Sequence, residues 1–199
     1  MWRGHVYSHG LIEAQAAGRL GALLDRTNDT LIGTRMSQGI FIVSITAADE
    51  AAGKAVKEEV ETRLAPYAFE DGDHSLSAAV GRVLRDSTAS VAVAESCTGG
   101  SIGGMLVATP GSSSWFHGGV MTYTNESKMR ELSVGPEHFA PGGAGAVSGS
   151  VAIEMAEGVR SRFATTWSIS VTGIAGPDGG TDEKPVGMVW LAVAGPDRT

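Results

Sequence analysis

VAVAESCTGG, residues 91–100, is the stretch from which the reading of this chain starts. The small and β-branched run Val91–Ala94 predicts a strand, and it ends in Glu95 and a cluster of nucleophiles, Ser96, Cys97 and Thr98, followed by the pair Gly99 and Gly100. SIGGMLVAT (101–109) then reads as a helix, so its first-turn N–H groups are expected to point at whatever sits beside Ser96. Strand, nucleophile, glycine turn and helix start make an arrangement for acyl or phosphate chemistry, with a plain tight turn as the alternative. Cys97 is the competing nucleophile, but a lone cysteine beside an apolar strand is more often buried and inert. Glu95 either orients a nearby lysine or caps the helix that follows.

Working outward, the search for a base leads to GGVMTYTNESKMR (118–130), where a short apolar strand delivers Tyr123, Asn125 and Lys128 within six residues. If the strand gives way to a helical turn near Asn125, phenol, amide and ammonium converge on one mouth. A lysine held in a partly desolvated pocket gives up its charge more easily and can take the proton of a serine hydroxyl, the Ser–Lys form of nucleophilic activation. The alternative is a solvated first-turn lysine. A third segment, WSISVTGIAGPDGGTDEKPVG (167–187), alternates as a strand up to Thr172 and Gly173 and then enters a glycine- and proline-rich loop. Its glycines, Gly173 and Gly176 among them, permit close backbone approach to a ligand, and Thr172 offers it a hydroxyl. Trp115 and Phe116 either wall a pocket or pack in the core.

Composition bounds the function without naming it. The 199 residues are 42% hydrophobic and 19% charged, enough for one good core or two modest ones. A net charge of −7 with no basic tract argues against nonspecific binding of nucleic acid. The single cysteine excludes an internal disulfide, no apolar run is long enough to span a bilayer, and no signal-peptide pattern opens the chain, so a cytoplasmic location is expected. His5, His9, His74, His117 and His138 lack the paired spacing of a zinc site and read as surface or packing residues.

The first seventy residues form a separate pattern. Ile12, Ala16, Leu20, Leu23 and Leu24 mark a helical face, GIFIVSIT (39–46) alternates as a strand, and 51–64 is a second helix with Val56, Val60 and Leu64 aligned. Pro66 and the acidic turn EDGDHS (70–75) then place a boundary near residue 71, before a helix whose Leu76, Val80, Val83 and Leu84 share one side. The chain is thus expected to divide into 1–71, a small α/β module, and 72–199, a three-layer α/β/α sandwich with a mixed sheet.

AESCTGG, PGSSSWFHGGVMTYTNESK, GAVSGSVAIEMAEG and SVTGIAGPDGGTDEKPVGMVW, in this order and spacing, resemble the C-terminal domain of the CinA (competence/damage-inducible) family, the nicotinamide-nucleotide amidohydrolases. The likeness covers roughly 75–194 and implies hydrolysis of the carboxamide of nicotinamide mononucleotide to nicotinic acid mononucleotide and ammonia, in pyridine-nucleotide salvage, with no metal or cofactor. It carries the family's serine nucleophile onto Ser96, its lysine base onto Lys128 and its supporting tyrosine onto Tyr123. Ser113, Asn125 and Thr172 fall on pocket positions, and Thr98, Gly99, Gly100, Gly173 and Gly176 line the same expected site. Backbone N–H groups near Gly99 and Gly100 are expected to hold the oxyanion. The first module looks like the tail of the family's KH-like linking module; it shows no GxxG clamp with basic flanks, so a linking or dimerisation role is expected rather than nucleic-acid binding. A homodimer is the implied assembly. Two departures stand out: Gly149 replaces a glutamate usual after GAVS, and the chain stops at Thr199 where the family continues into a closing strand and helix, which is expected to leave a sheet edge exposed. The rival readings are a noncatalytic module in competence or damage response and hydrolysis of a related pyridine amide.

Overall fold

The computed structural model describes residues 1–25, 30–37, 39–69 and 75–199, which fall into two compact units, Met1–Val80 and Gly81–Thr199. In the first unit, strands β1 (Trp2–His9), β2 (Thr30–Ser37) and β3 (Ile40–Ala47) form an antiparallel sheet in the order β1-β3-β2. Alternation turns Phe41, Val43 and Ile45 to one face, where they meet Val6, Leu11, and residues of helices α1 (Glu13–Leu20) and α2 (Glu50–Leu64). Helix α2 starts at Asp49, whose carboxylate accepts the Ala52 N–H at 2.9 Å. Sequence periodicity anticipated β3 and both helices. The apolar face from Ile12 to Leu24, however, is interrupted: α1 ends at Leu20, and a 3-10 turn, Gly21–Leu24, leaves Leu23 and Leu24 half-buried. The expected boundary near residue 71 lies among residues 70–74, outside the described residues.

The second unit is built on β4 (Val91–Glu95), β5 (Phe116–Met121), β6 (Trp167–Gly173) and β7 (Val189–Ala194), ordered β5-β4-β6-β7. Strand β4 is parallel to both neighbours and β7 is antiparallel to β6, so the sheet is mixed. Helices α5 (Asn125–Leu132) and α6 (Gly149–Phe163) cover one face, where Leu132, Val134, Val151, Met155 and Val159 pack on Ala92 and Ala94. Helix α4 (Ser101–Val107) lies on the other, with Gly103 against Val93 and Phe116. This is the three-layer α/β/α sandwich anticipated above. Strand β7 forms an edge and exposes Val189, Trp190, Leu191 and Val193. Among the described residues no helix is long and apolar enough to cross a membrane.

Helix α3 (Leu76–Asp86) spans the division and corrects one expectation. Its buried positions are Ser77, Gly81 and Leu84, spaced i, i+4, i+7, while Val83 is exposed. The stripe is offset because the bare Cα of Gly81 accommodates the indole of Trp115: a Cβ at 81 would come within 2.8 Å of it. Trp115, fully buried, is thereby a core residue and not a pocket wall, whereas Phe116 is only half-buried.

Candidate active site

Strand β4 sorts its last residues by alternation. Val93 and Glu95 face α4, Ala92 and Ala94 face α6, and Ser96 continues the second series. Its backbone is fixed on both sides: the Ser96 N–H donates to the Val171 carbonyl at 3.0 Å, and the Thr122 N–H donates to the Glu95 carbonyl at 2.8 Å. Strand β5 ends at Met121, and Thr124 then caps α5, its hydroxyl accepting the Ser127 N–H at 3.2 Å. This cap starts the helix where it aims Lys128 inward. Lys128 Nζ lies 3.0 Å from Ser96 Oγ and 2.6 Å from the Thr122 carbonyl oxygen. Lys128 is 1% exposed and Ser96 6%, so the solvated-lysine alternative is set aside.

Among the described residues no carboxylate pairs with Lys128. Burial holds its pKa below that of an ordinary lysine, with Cys97 acting in the opposite direction. In this arrangement Nζ donates to both the Thr122 carbonyl and the Ser96 hydroxyl oxygen. Burial pushes the Cys97 thiol up, against the pull of its own N–H, of Lys128 and of the Thr98 N–H, while Glu95 adds to the rise. Cys97 is therefore a poor thiolate, and Ser96 holds the base.

On the opposite face, the Glu95 carboxylate accepts the N–H groups of Gly100 and Ile102, each at 3.1 Å, and of Gly103 at 2.7 Å. Glu95 caps α4 and does not orient Lys128. The Gly99 N–H donates to the Ser96 carbonyl at 3.1 Å. The expectation that the N–H groups of Gly99 and Gly100 face a reacting carbonyl is corrected by these bonds, which the capping carboxylate and the turn itself claim. A cavity of about 200 Å³ lies on this α4 side, lined by Val93, Glu95, Gly103, Phe116 and Gly119 among others, away from the Ser96 hydroxyl.

The remaining predicted residues are distributed around the pair. Tyr123 follows β5 and is 70% exposed, and among the described residues no hydrogen bond joins it to Ser96 or Lys128. Asn125, at the first turn of α5, and Ser113, in the 3-10 turn Ser112–Ser114, are exposed. Thr98 is half-buried with a buried Oγ1 that lacks a hydrogen-bond partner among the described residues, as does Thr122 Oγ1. Thr172 is buried and its hydroxyl donates to the Ala146 carbonyl at 2.8 Å. Gly173 abuts the nucleophile turn, since a Cβ there would stand 3.0 Å from Cys97 Sγ. Gly176 begins the following loop with a positive φ of 78°. That loop is tied to residues 144–146 by Lys184 Nζ, which donates to the Ala144 carbonyl at 2.6 Å. Sequence reasoning did not single out Thr122, because its contribution to Lys128 is a backbone carbonyl that any residue supplies.

Glu137, His138 and Glu154 bring ligand-type atoms within 4.8 Å of one another, and none of them belongs to the Ser96 group. His138 Nε2 is 2.8 Å from Glu154 Oε1, so this histidine ties the turn Pro136–Phe139 to α6.

Residues 73–199 match the family model described as the CinA C-terminal domain. The chain is 44% identical over 193 residues to a CinA-like protein of Synechococcus sp., covering 94% of this chain and 45% of that protein. It is 43% identical over 192 residues to a CinA-like protein of Nostoc sp., with the same coverage of 94% and 45%. The chain thus spans under half the length of these curated relatives. Among solved structures it is similar to the competence/damage inducible protein CihA of Agrobacterium tumefaciens, at 40% identity and a TM-score of 0.59 over 62% of this chain and 74% of that one. A competence-damaged protein (CinA) superfamily protein of Escherichia coli gives 35% identity and a TM-score of 0.57 over 62% and 70% of the two chains.

Proposed function

The chain belongs to the CinA family, and on that premise we propose that it is a Ser–Lys amidohydrolase that converts nicotinamide mononucleotide to nicotinic acid mononucleotide and ammonia. The observation that carries this reading is the 3.0 Å approach of buried Lys128 Nζ, without a carboxylate partner among the described residues, to Ser96 Oγ. Neutral Nζ takes the hydroxyl proton as Oγ attacks the carboxamide carbon. The ammonium so formed gives that proton to the departing nitrogen, and ammonia leaves behind an ester on Ser96. Water, deprotonated by the same amine, attacks the ester carbon, and the ammonium returns that proton to Ser96 Oγ as the acid is released. With the N–H groups of Gly99 and Gly100 engaged elsewhere, the oxyanion takes those of Cys97 and Thr98, which already favour negative charge beside the turn. Exposed Tyr123, Asn125 and Ser113 take contacts at the mouth.

In this reading residues 72–199 carry the reaction, residues 1–71 are a KH-like linking module, and the protein is a cytoplasmic homodimer of pyridine-nucleotide salvage. The test is ammonia release from nicotinamide mononucleotide, with Ser96→Ala beside the parent. Release by the parent alone is expected; equal release by both, or none from a folded parent, overturns the reading.

A further inference from the structure

The turn that presents Ser96 has almost nothing packed on its outer side. Gly99 and Gly100 adopt positive φ values of 60° and 98°, and a Cβ on either would meet no atom within 4 Å. Glycine in such a turn is free to populate many conformations, so some other group has to hold it. Backbone bonds tie its beginning to the neighbouring strands, through Ser96 to Val171 and Glu95 to Thr122, and beyond that they only close the turn on itself, the Gly99 N–H donating to the Ser96 carbonyl and the Ser101 N–H to the Thr98 carbonyl, each at 3.1 Å. The far side is tied back to β4 by Glu95, which is 2% exposed and reaches across the turn to three donors, the N–H groups of Gly100, Ile102 and Gly103.

One residue therefore holds the turn at both ends, with its backbone in β4 and its carboxylate on the start of α4. We infer that Glu95 is a positioning residue for Ser96: it fixes the glycine turn so that Oγ stays within reach of Lys128, and it does so from the face of β4 opposite the chemistry. The inference rests on the Ser96–Lys128 reading above. A displacement of about 1 Å in a reacting group costs on the order of a hundredfold in rate. Burial and Cys97 set the lysine's proton affinity, so Glu95 acts through geometry.

Two variants probe this in the full chain. Glu95→Gln keeps the length but sets an amide NH₂ against donors that need an acceptor. Glu95→Asp keeps the charge and withdraws the carboxylate by about 1.5 Å, one carbon–carbon bond. Each is expected to lower kcat for nicotinamide mononucleotide about a hundredfold with KM held within about twofold, and to slow sulfonylation of Ser96 by phenylmethylsulfonyl fluoride, followed by intact mass, by a similar factor. The midpoint of the pH–rate profile is expected to stay in place while its plateau falls, an outcome that loss of folded protein alone would not give for the labelling rate per folded molecule, normalised by circular dichroism. Parent-like kcat and labelling in both variants overturns the inference, as does a shifted midpoint with an unchanged plateau. If the parent itself releases no ammonia, the amidohydrolase reading fails separately, and the labelling rates still decide for or against the positioning role.

Discussion

Glu95 and Lys128 lie on opposite faces of one sheet, 2% and 1% exposed, and among the described residues neither meets an opposite charge. Burying an ionisable group without such a partner is costly, and the two are accommodated in different ways. Glu95 receives three N–H donors at a helix start. Lys128 receives one carbonyl and one hydroxyl, and burial lowers its pKa. The difference teaches that this strand end combines a fully bonded frame with a deliberately underbonded base. Rigidity belongs to the α4 side and reactivity to the α6 side.

Substitutions that exchange these roles give the largest effects. Lys128→Met is expected to lower turnover by about 10³-fold or more, measured as ammonia release, while unfolding in urea changes by only about 1 kcal/mol because the apolar chain refills the space. Glu95→Ala is expected to do the reverse in stability, costing about 2 kcal/mol or more as three N–H groups lose their acceptor. If Lys128→Met proves the more destabilising of the two, the contrast between frame and base is broken.

The pH dependence sharpens the same contrast. Lys128 in the folded chain binds its proton at lower pH than an unfolded lysine does, so between the two pKa values the unfolded state holds more protons. Stability is therefore expected to rise with pH across that window, which ends near the ordinary lysine value of about 10.4. Denaturant midpoints taken across it should climb for the parent and lose this component in Lys128→Met. Over the same range kcat should rise to a plateau as the amine becomes neutral.

The smallest effects separate glycines around α4. Gly119→Ala is expected to destabilise by about 1–3 kcal/mol, because the added Cβ would meet the Val93 side chain and come within 2.7 Å of its carbonyl oxygen. Gly104→Ala, exposed within α4 with nothing inside 4 Å, is expected to stabilise by about 0.5–1 kcal/mol. Thermal or urea denaturation of the pair reads both signs.

Much of this arrangement was legible in the sequence. The Val91–Gly100 stretch announced strand, turn and helix, the Lys128 segment announced strand and helix start, and the layered sandwich followed from their alternation. The sequence was silent where neighbours decide. Strands β1 and β2 carry arginine, glycine and serine and turn few side chains inward, so they show no clear period; pairing with β3 on both sides makes them strands. Whether Glu95 would serve Lys128 or cap α4 depended on which face of β4 it occupies, and one residue of register decides that. The commitment of the Gly100 N–H to Glu95 is a consequence of that choice.

The clasp between the two glycine-rich loops has a consequence in time. Thr172 holds Ala146 while Lys184 holds Ala144, and the Gly187 N–H closes the second loop on the Ile174 carbonyl at 2.8 Å. The Lys184 bond couples one loop to the other, so residues 140–148 and 174–187 are expected to open together. In hydrogen–deuterium exchange their amides should share a single opening rate, distinct from that of the strands beneath.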